Sequence, residues 1–234
     1  MIALAIPLAD RAAELVAYDT SCGVTGECES SVSYAAIRVL GRIAGDAKSG
    51  SPRAFGERER RFLLGLARGN IRSHLMSGRQ CPVIPAEVPE ACRARSGVFV
   101  TLKRNGRLRG CIGTITGERP LFESVLENSY FAAFRDPRFG PLTRGELEGL
   151  SVEISVLTEP RAVRSVDEIV LGRDGIIVEL GNRRALFLPQ VATEQNWTRE
   201  EFLTQACRKA GLPDDAWRSG AVIYTFRAEV FGDA

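Results

Sequence analysis

The sequence predicts an α+β fold. Residues 57–77 repeat apolar side chains at three- and four-residue spacing, the period of a helix packed along one side. Residues 97–115 hold two β-prone runs about Asn105-Gly106, the strongest short-range hairpin signal. Hairpins and isolated helices then follow one another in mixed order, without the regular strand–helix alternation of a doubly wound sheet.

The elements read in order as follows. The apolar start is short, Pro7 interrupts it and Asp10 and Arg11 follow, so it reads neither as a signal peptide nor as an anchor. No stretch approaches the roughly 20 apolar residues of a membrane span, and the expectation is a cytoplasmic protein. Residues 11–20 read as a strand, 21–30 as turns, and 31–40 as a strand or short helix. Gly, Ser and Ala dominate residues 41–52, which marks a linker. The expected division is therefore residues 1–48, a linker at 49–55, and one domain over 56–234. The first segment is too small to build a sufficient core alone.

In the helix at 57–77, Phe62, Leu63, Leu66, Ala67, Ile71 and Leu75 form the inner face, and Gly78 suits the C′ position. Three prolines make residues 81–89 an extended loop. Gly97–Lys103 and Arg107–Ile115 are the strands of the hairpin. Pro120 opens a helix to about Phe134, with Phe122, Val125, Leu126, Ser129, Ala132 and Ala133 inward. Residues 136–141 are a rigid loop. Residues 151–157 alternate, with Val152, Ile154 and Val156 on one face. Asp174-Gly175 and Gly181-Asn182 are turns flanking strands at 176–180 and 185–191. Thr198 and Glu201 match a capping box for a helix to about Ala210, stopped by Gly211 and Pro213. Residues 222–231 are a last strand.

Composition narrows the function. The net charge of +2 leaves no global basic field, so any nucleic-acid contact must come from a local patch. Of the six cysteines none forms a C-x-x-C pair, and His74 is the single histidine. Zinc sites draw on clustered Cys and His, so the reading is free thiols with no metal and no cofactor.

The hairpin carries the candidate site. A two-residue turn at Asn105-Gly106 would pair Val100 with Cys111 and mix both faces. A three-residue loop, Arg104 to Gly106, shifts the register by one and separates them. Val98, Val100, Leu102, Leu108 and Ile112 then share an apolar face. Phe99, Thr101, Arg107, Arg109, Cys111 and Gly113 share the other. This register is preferred, and it sets Arg109 beside Cys111, where a guanidinium favours thiolate. Gly110 and Gly113 leave the strand bare, as at a bulge or a close approach.

Cys111 is thus the candidate catalytic residue. Cysteine more often packs as a small hydrophobe than reacts, and His74 sits on a distant helix, so no general base is in view. Arg107, Arg109, Arg135 and Arg138 are a candidate anion-binding patch, since guanidinium forks match phosphate. Asp136 either orients an arginine or caps a turn. Trp197 and Trp217 read as packing residues.

Gly97-VFVTL, Leu108-RGCIG-Gly113, Phe131-AAFRDPRF-Phe139, Val152-EISVL-Leu157, Leu188-PQVA-Ala192 and Cys207-RKAGLP-Pro213 with Trp217 occur in this order. Together they resemble the AMME syndrome candidate protein family, known in bacteria and archaea as AmmeMemoRadiSam system protein A. The resemblance spans roughly residues 56–231. It implies two subdomains, with a mixed β-sheet flanked by helices. It also implies two partners, a Memo-family protein and a radical S-adenosylmethionine enzyme. A nucleotide or RNA-like ligand is a further implication, bound through Arg107, Arg109, Gly110, Gly113, Asp136 and Arg138. A non-catalytic protein-binding adaptor is the alternative. Ala17-YDTSCGVTGECESSVSYAA-Ala36 resembles the C-terminal end of the Memo family (system protein B). That family's metal-binding histidines are not in this chain, so no metal site is carried over.

Overall fold

The computed structural model describes residues 6–8, 11–20, 33–39 and 55–233, the first three stretches through their backbone alone. Cys22, Cys28, the turn-rich stretch 21–30 and the linker up to residue 54 lie outside the described residues. The chain begins with strands β1 (Ile6–Leu8), β2 (Arg11–Thr20) and β3 (Ser33–Val39). Helix α1 (Glu57–Ser77) and the short α2 (Glu90–Arg93) precede the hairpin β4 (Val98–Arg104) and β5 (Arg107–Thr114). Helix α3 (Leu121–Phe134) is followed by β6 (Leu150–Leu157), β7 (Arg161–Ala162), β8 (Gly175–Leu180) and β9 (Arg183–Phe187). Helices α4 (Pro189–Glu194) and α5 (Arg199–Lys209) lead to β10 (Val222–Phe226) and β11 (Ala228–Gly232). The fold is α+β. No helix among the described residues is long and apolar enough to cross a membrane.

The chain divides into two compact units. The first takes Met1–Ser49 and Pro160–Ala228, the second Gly50–Glu159 and Glu229–Ala234. In the first, β1, β2 and β3 form one sheet and β7-β10-β8-β9 another. Ile176, Val178, Ala185, Phe187 and Ile223 line one face of the four-stranded sheet and pack with Phe202, Leu203 and Ala206 of α5. Phe187 stacks on Phe202 at 5.6 Å. Thr198 caps α5 through Glu201, as the spacing predicts. Trp197 and Trp217 are packed against this core.

In the second unit, the sheet order is β11-β6-β4-β5. Val98, Val100, Leu102, Val152, Ile154 and Val156 are buried on one face, with Leu63, Ala67 and Ile71 of α1 and Leu121, Val125 and Ala132 of α3. Each of these Val, Leu and Ile side chains contributes roughly 1.5–3 kcal/mol on burial. The helix α1 ends at Gly78 in the left-handed region (φ 69°), as its C′ glycine predicts. Glu229 ties the unit's end to its start: it accepts from the Phe55 N–H and from Arg60.

Three sequence expectations change. The hairpin turn has two residues, not three: Asn105 (φ 50°) and Gly106 (φ 77°) both take the positive φ of a type I′ turn. The register is corrected further along, where Leu102 pairs Gly110 and Lys103 pairs Leu108, leaving Arg109 as a bulge. The faces therefore separate as expected from Gly110 to Thr114. Leu108, however, pairs with Lys103 and leaves the apolar face. The run 185–191 stops as a strand at Phe187, because Pro189 opens α4. The run 222–231 is two strands in two sheets, interrupted at Arg227.

Candidate functional site

The second face of the β11-β6-β4-β5 sheet differs chemically from the first. Strand alternation and register put Phe99, Thr101 and Lys103 of β4 on it, beside Gly113 and Cys111 of β5 and Ser155, Glu153 and Ser151 of β6. Lys103 donates to Glu153, its diagonal neighbour on β6, at 2.9 Å. A sheet apolar on one face and hydroxyl-, thiol- and charge-bearing on the other presents chemistry only on the second.

Cys111 stands in the edge strand of that sheet. Its backbone N–H donates to Asp136 Oδ2 at 2.9 Å, and its carbonyl accepts from Arg138 Nη2 at 2.9 Å. Asp136 and Arg138 thus occupy positions that a neighbouring strand would take. Both are buried, with side chains 2% and 4% exposed. Their own pairing is bidentate, Nε to Oδ1 at 2.7 Å and Nη2 to Oδ2 at 2.5 Å. Because the outward groups of Cys111 face this pair, Cys111 and Thr101 oppose each other as a non-hydrogen-bonded ladder pair, the kind with the closer side chains. Thr101 Oγ1 lies 3.1 Å from Cys111 Sγ.

Cys111 as a residue is half-buried, and burial around its thiol pushes the pKa up. The Thr101 hydrogen bond and the Arg138 charge oppose that shift, while Asp136 and Glu153 reinforce it. Activation by Arg109, expected from i, i+2 spacing, is corrected: the guanidinium acting on Cys111 is that of Arg138, and it does not offset burial.

Arg109, the bulge residue, turns to another partner. Its Nε donates to Glu146 Oε1 at 2.6 Å, and its Nη2 donates to Glu146 Oε2 at 3.2 Å and to the Gly140 carbonyl at 3.0 Å. That hydrogen bond first, aided by those from Thr143, brings the Glu146 pKa down to about 2 against the cost of burial. Arg109 Nη1 is buried without a hydrogen-bond partner among the described residues. Arg109 and Arg138 lie 5.7 and 5.4 Å from the centroid of one ring, Phe139.

The structure therefore brings Arg109, Cys111, Asp136 and Arg138 together. Arg107 sits exposed beside the turn, and Arg135 is exposed at the end of α3, its Nε donating to Tyr130. Gly110 serves helix packing: a Cβ there would lie 2.1 Å from the Ala132 carbonyl oxygen of α3. Gly113 lies under the Phe99 ring, 2.3 Å from where its Cβ would be. His74 is on α1 but half-buried, its ring tilted against that of Tyr130 with centroids 4.6 Å apart.

Sequence reasoning missed Thr101 as the partner of the thiol, Phe139 as a shared ring, and Glu146. The last was readable: Thr143 and Glu146 have the same four-residue capping-box spacing as Thr198 and Glu201. Among the described residues no group of three or more His, Cys, Asp or Glu is placed to hold a metal.

A family model described as AMMECR1 matches residues 64–231. A protein of Methanothermobacter thermautotrophicus is 44% identical over 180 residues, covering 74% of this chain and 93% of the relative. A protein of Thermofilum pendens is 43% identical over 187 residues, covering 73% of this chain and 87% of its own length. The crystal structure of the uncharacterized protein PH0010 from Pyrococcus horikoshii is similar with a TM-score of 0.71 and 40% identity, over 76% of this chain and 93% of that one.

Proposed function

The chain belongs to the AMMECR1 family, and we propose that its Leu108–Gly113 site binds an anionic group of a nucleotide or RNA-like ligand without covalent chemistry. The observation that carries this reading is Arg109. Glu146 and the Gly140 carbonyl fix its guanidinium, and Nη1 remains buried with no acceptor among the described residues. A buried donor left in this state costs about 1–3 kcal/mol, a cost that an incoming phosphate oxygen removes. The raised thiol of Cys111 supports a binding role over a nucleophilic one. In this reading Thr101 and the neutral thiol line the ligand, and Arg138 and Asp136 hold their strand in place. From the family resemblance we further propose a Memo-family protein and a radical S-adenosylmethionine enzyme as partners.

Calorimetric titration with nucleoside monophosphates and a short single-stranded RNA tests it. Arg109→Met is expected to weaken the phosphate-dependent binding at least tenfold, about 1.4 kcal/mol. Cys111→Ser should leave it within a few-fold. Equal affinity of wild type and Arg109→Met refutes the site. No nucleotide binding, with capture of the Memo-family protein instead, supports the adaptor alternative.

A further inference from the structure

The first unit holds a second arginine whose donors lack acceptors among the described residues, and the register of its sheet shows which of them share its face. Arg184 of β9 pairs with Glu179 of β8, and Glu179 pairs in turn with Val222 of β10. Alternation puts Tyr224, two residues beyond Val222, on the same face. This face is the reverse of the one that carries Ile176, Val178, Ala185 and Phe187 to the core. The Arg184 side chain is 5% exposed, and its Nε and Nη2 have no hydrogen-bond partner among the described residues. Glu179 Oε2 lies 3.5 Å from Nε, too far for a good hydrogen bond, and is likewise without a partner.

Nε and Nη2 form the edge of a guanidinium that grips two oxygens at once. Arg109, Arg138, Arg173 and Arg208 all engage that edge with a carboxylate, those of Glu146, Asp136, Asp174 and Asp214. Arg184 is more buried than Arg109, Arg173 or Arg208, and its edge meets nothing comparable. A buried charge in this state destabilises a fold unless something else engages it.

We propose that the Nε–Nη2 edge of Arg184 receives the two oxygens of a carboxylate or phosphate group. The ligand also carries a hydrogen-bond donor for Glu179 Oε2: a hydroxyl or ammonium beside a carboxylate, or the protonated oxygen of hydrogen phosphate. Tyr224 flanks the site. Burial lowers the Arg184 pKa and raises that of Tyr224, in keeping with a shared sheltered environment. This site lies in the first unit and stands or falls independently of Arg109.

The test follows the Nε–H resonance of Arg184, assigned by comparison with Arg184→Met, in the ¹⁵N-labelled full chain. One arm titrates inorganic phosphate, one lactate, and a control arm acetate, which lacks the donor. A saturable shift of that resonance with phosphate or lactate, at least fivefold weaker with acetate, supports the proposal and names the source. Thermal midpoints give the second readout. Arg184→Met combined with Glu179→Gln, which strands neither partner, should melt at or above the wild type without additive, and the same ligand should raise the wild-type midpoint alone. An Arg184 resonance unmoved in all arms overturns the proposal. So does a midpoint of that double variant well below the wild type, which would mean the fold itself satisfies this guanidinium.

Discussion

Asp136→Asn is the sharpest single perturbation of the site. The substitution keeps the volume of the side chain and removes only its charge and half its acceptor capacity. The Asp136 carboxylate accepts from the backbone N–H of Cys111 and of Arg138 and from Nε and Nη2 of the Arg138 guanidinium. An amide turns an NH₂ group against these donors and leaves Arg138 buried without its carboxylate. Removing one partner of a buried ion pair costs about 3–5 kcal/mol. For a chain of this length each kcal/mol is worth about 2–4 °C, so the thermal midpoint should fall by roughly 6–20 °C. Urea titration measures the change directly, as a lower midpoint at unchanged slope. The double variant Asp136→Asn with Arg138→Met should lose at least about 1 kcal/mol less than the two single losses added, because each single change strands the other partner. A loss under about 1 kcal/mol for Asp136→Asn would refute the view that this pair holds the edge strand.

Two further outcomes follow from the geometry. Gly110→Ala should destabilise by about 3 kcal/mol in urea titration, because its Cβ meets a backbone carbonyl that cannot rotate away; an effect below about 1 kcal/mol would place α3 farther from β5 than it stands here. Glu146 has its pKa depressed from 4.5 to about 2, so its contribution is fully present above about pH 4.5 and is lost as pH falls through about 2. Discounted for solvent screening, that contribution is about 1–2 kcal/mol, and Glu146→Gln should remove this acid-dependent part of the stability curve.

Much of the fold was legible because local signals agreed with it. The period of α1, its glycine cap, the Asn105-Gly106 turn and the Thr198 capping box each act within a few residues. The separation of the hairpin faces was legible from apolar patterning, but not its cause. Pattern fixes parity alone, and a bulge at Arg109 satisfies parity as well as a longer loop does. The break at Arg227 was hidden for a similar reason: two strands serving different sheets read as one apolar run when nothing local marks the crossing. The site was half legible. Arg109, Cys111, Asp136 and Arg138 were named, and Asp136 was read as orienting an arginine or capping a turn; the contacts of Asp136 and Arg138 with Cys111, 25 and 27 positions away, and of Arg109 with Glu146, 37 positions away, were not. Spacing within β5 suggested Arg109 beside Cys111. The bulge re-aims Arg109 toward Glu146, and the loop after α3 delivers Arg138 in its place.

Whether Cys111 is a neutral lining group or a nucleophile decides between a binding site and a reactive one. Its alkylation by iodoacetamide, followed against pH at the level of the Cys111 peptide, measures this in the intact chain. Burial outweighs Thr101 and Arg138, so the rate should rise through a midpoint above the ordinary thiol value of 9.0. In Asp136→Asn the midpoint should move down, since one of the charges raising it is gone. A wild-type midpoint near or below neutrality, with thiolate already present at pH 7, would contradict the account.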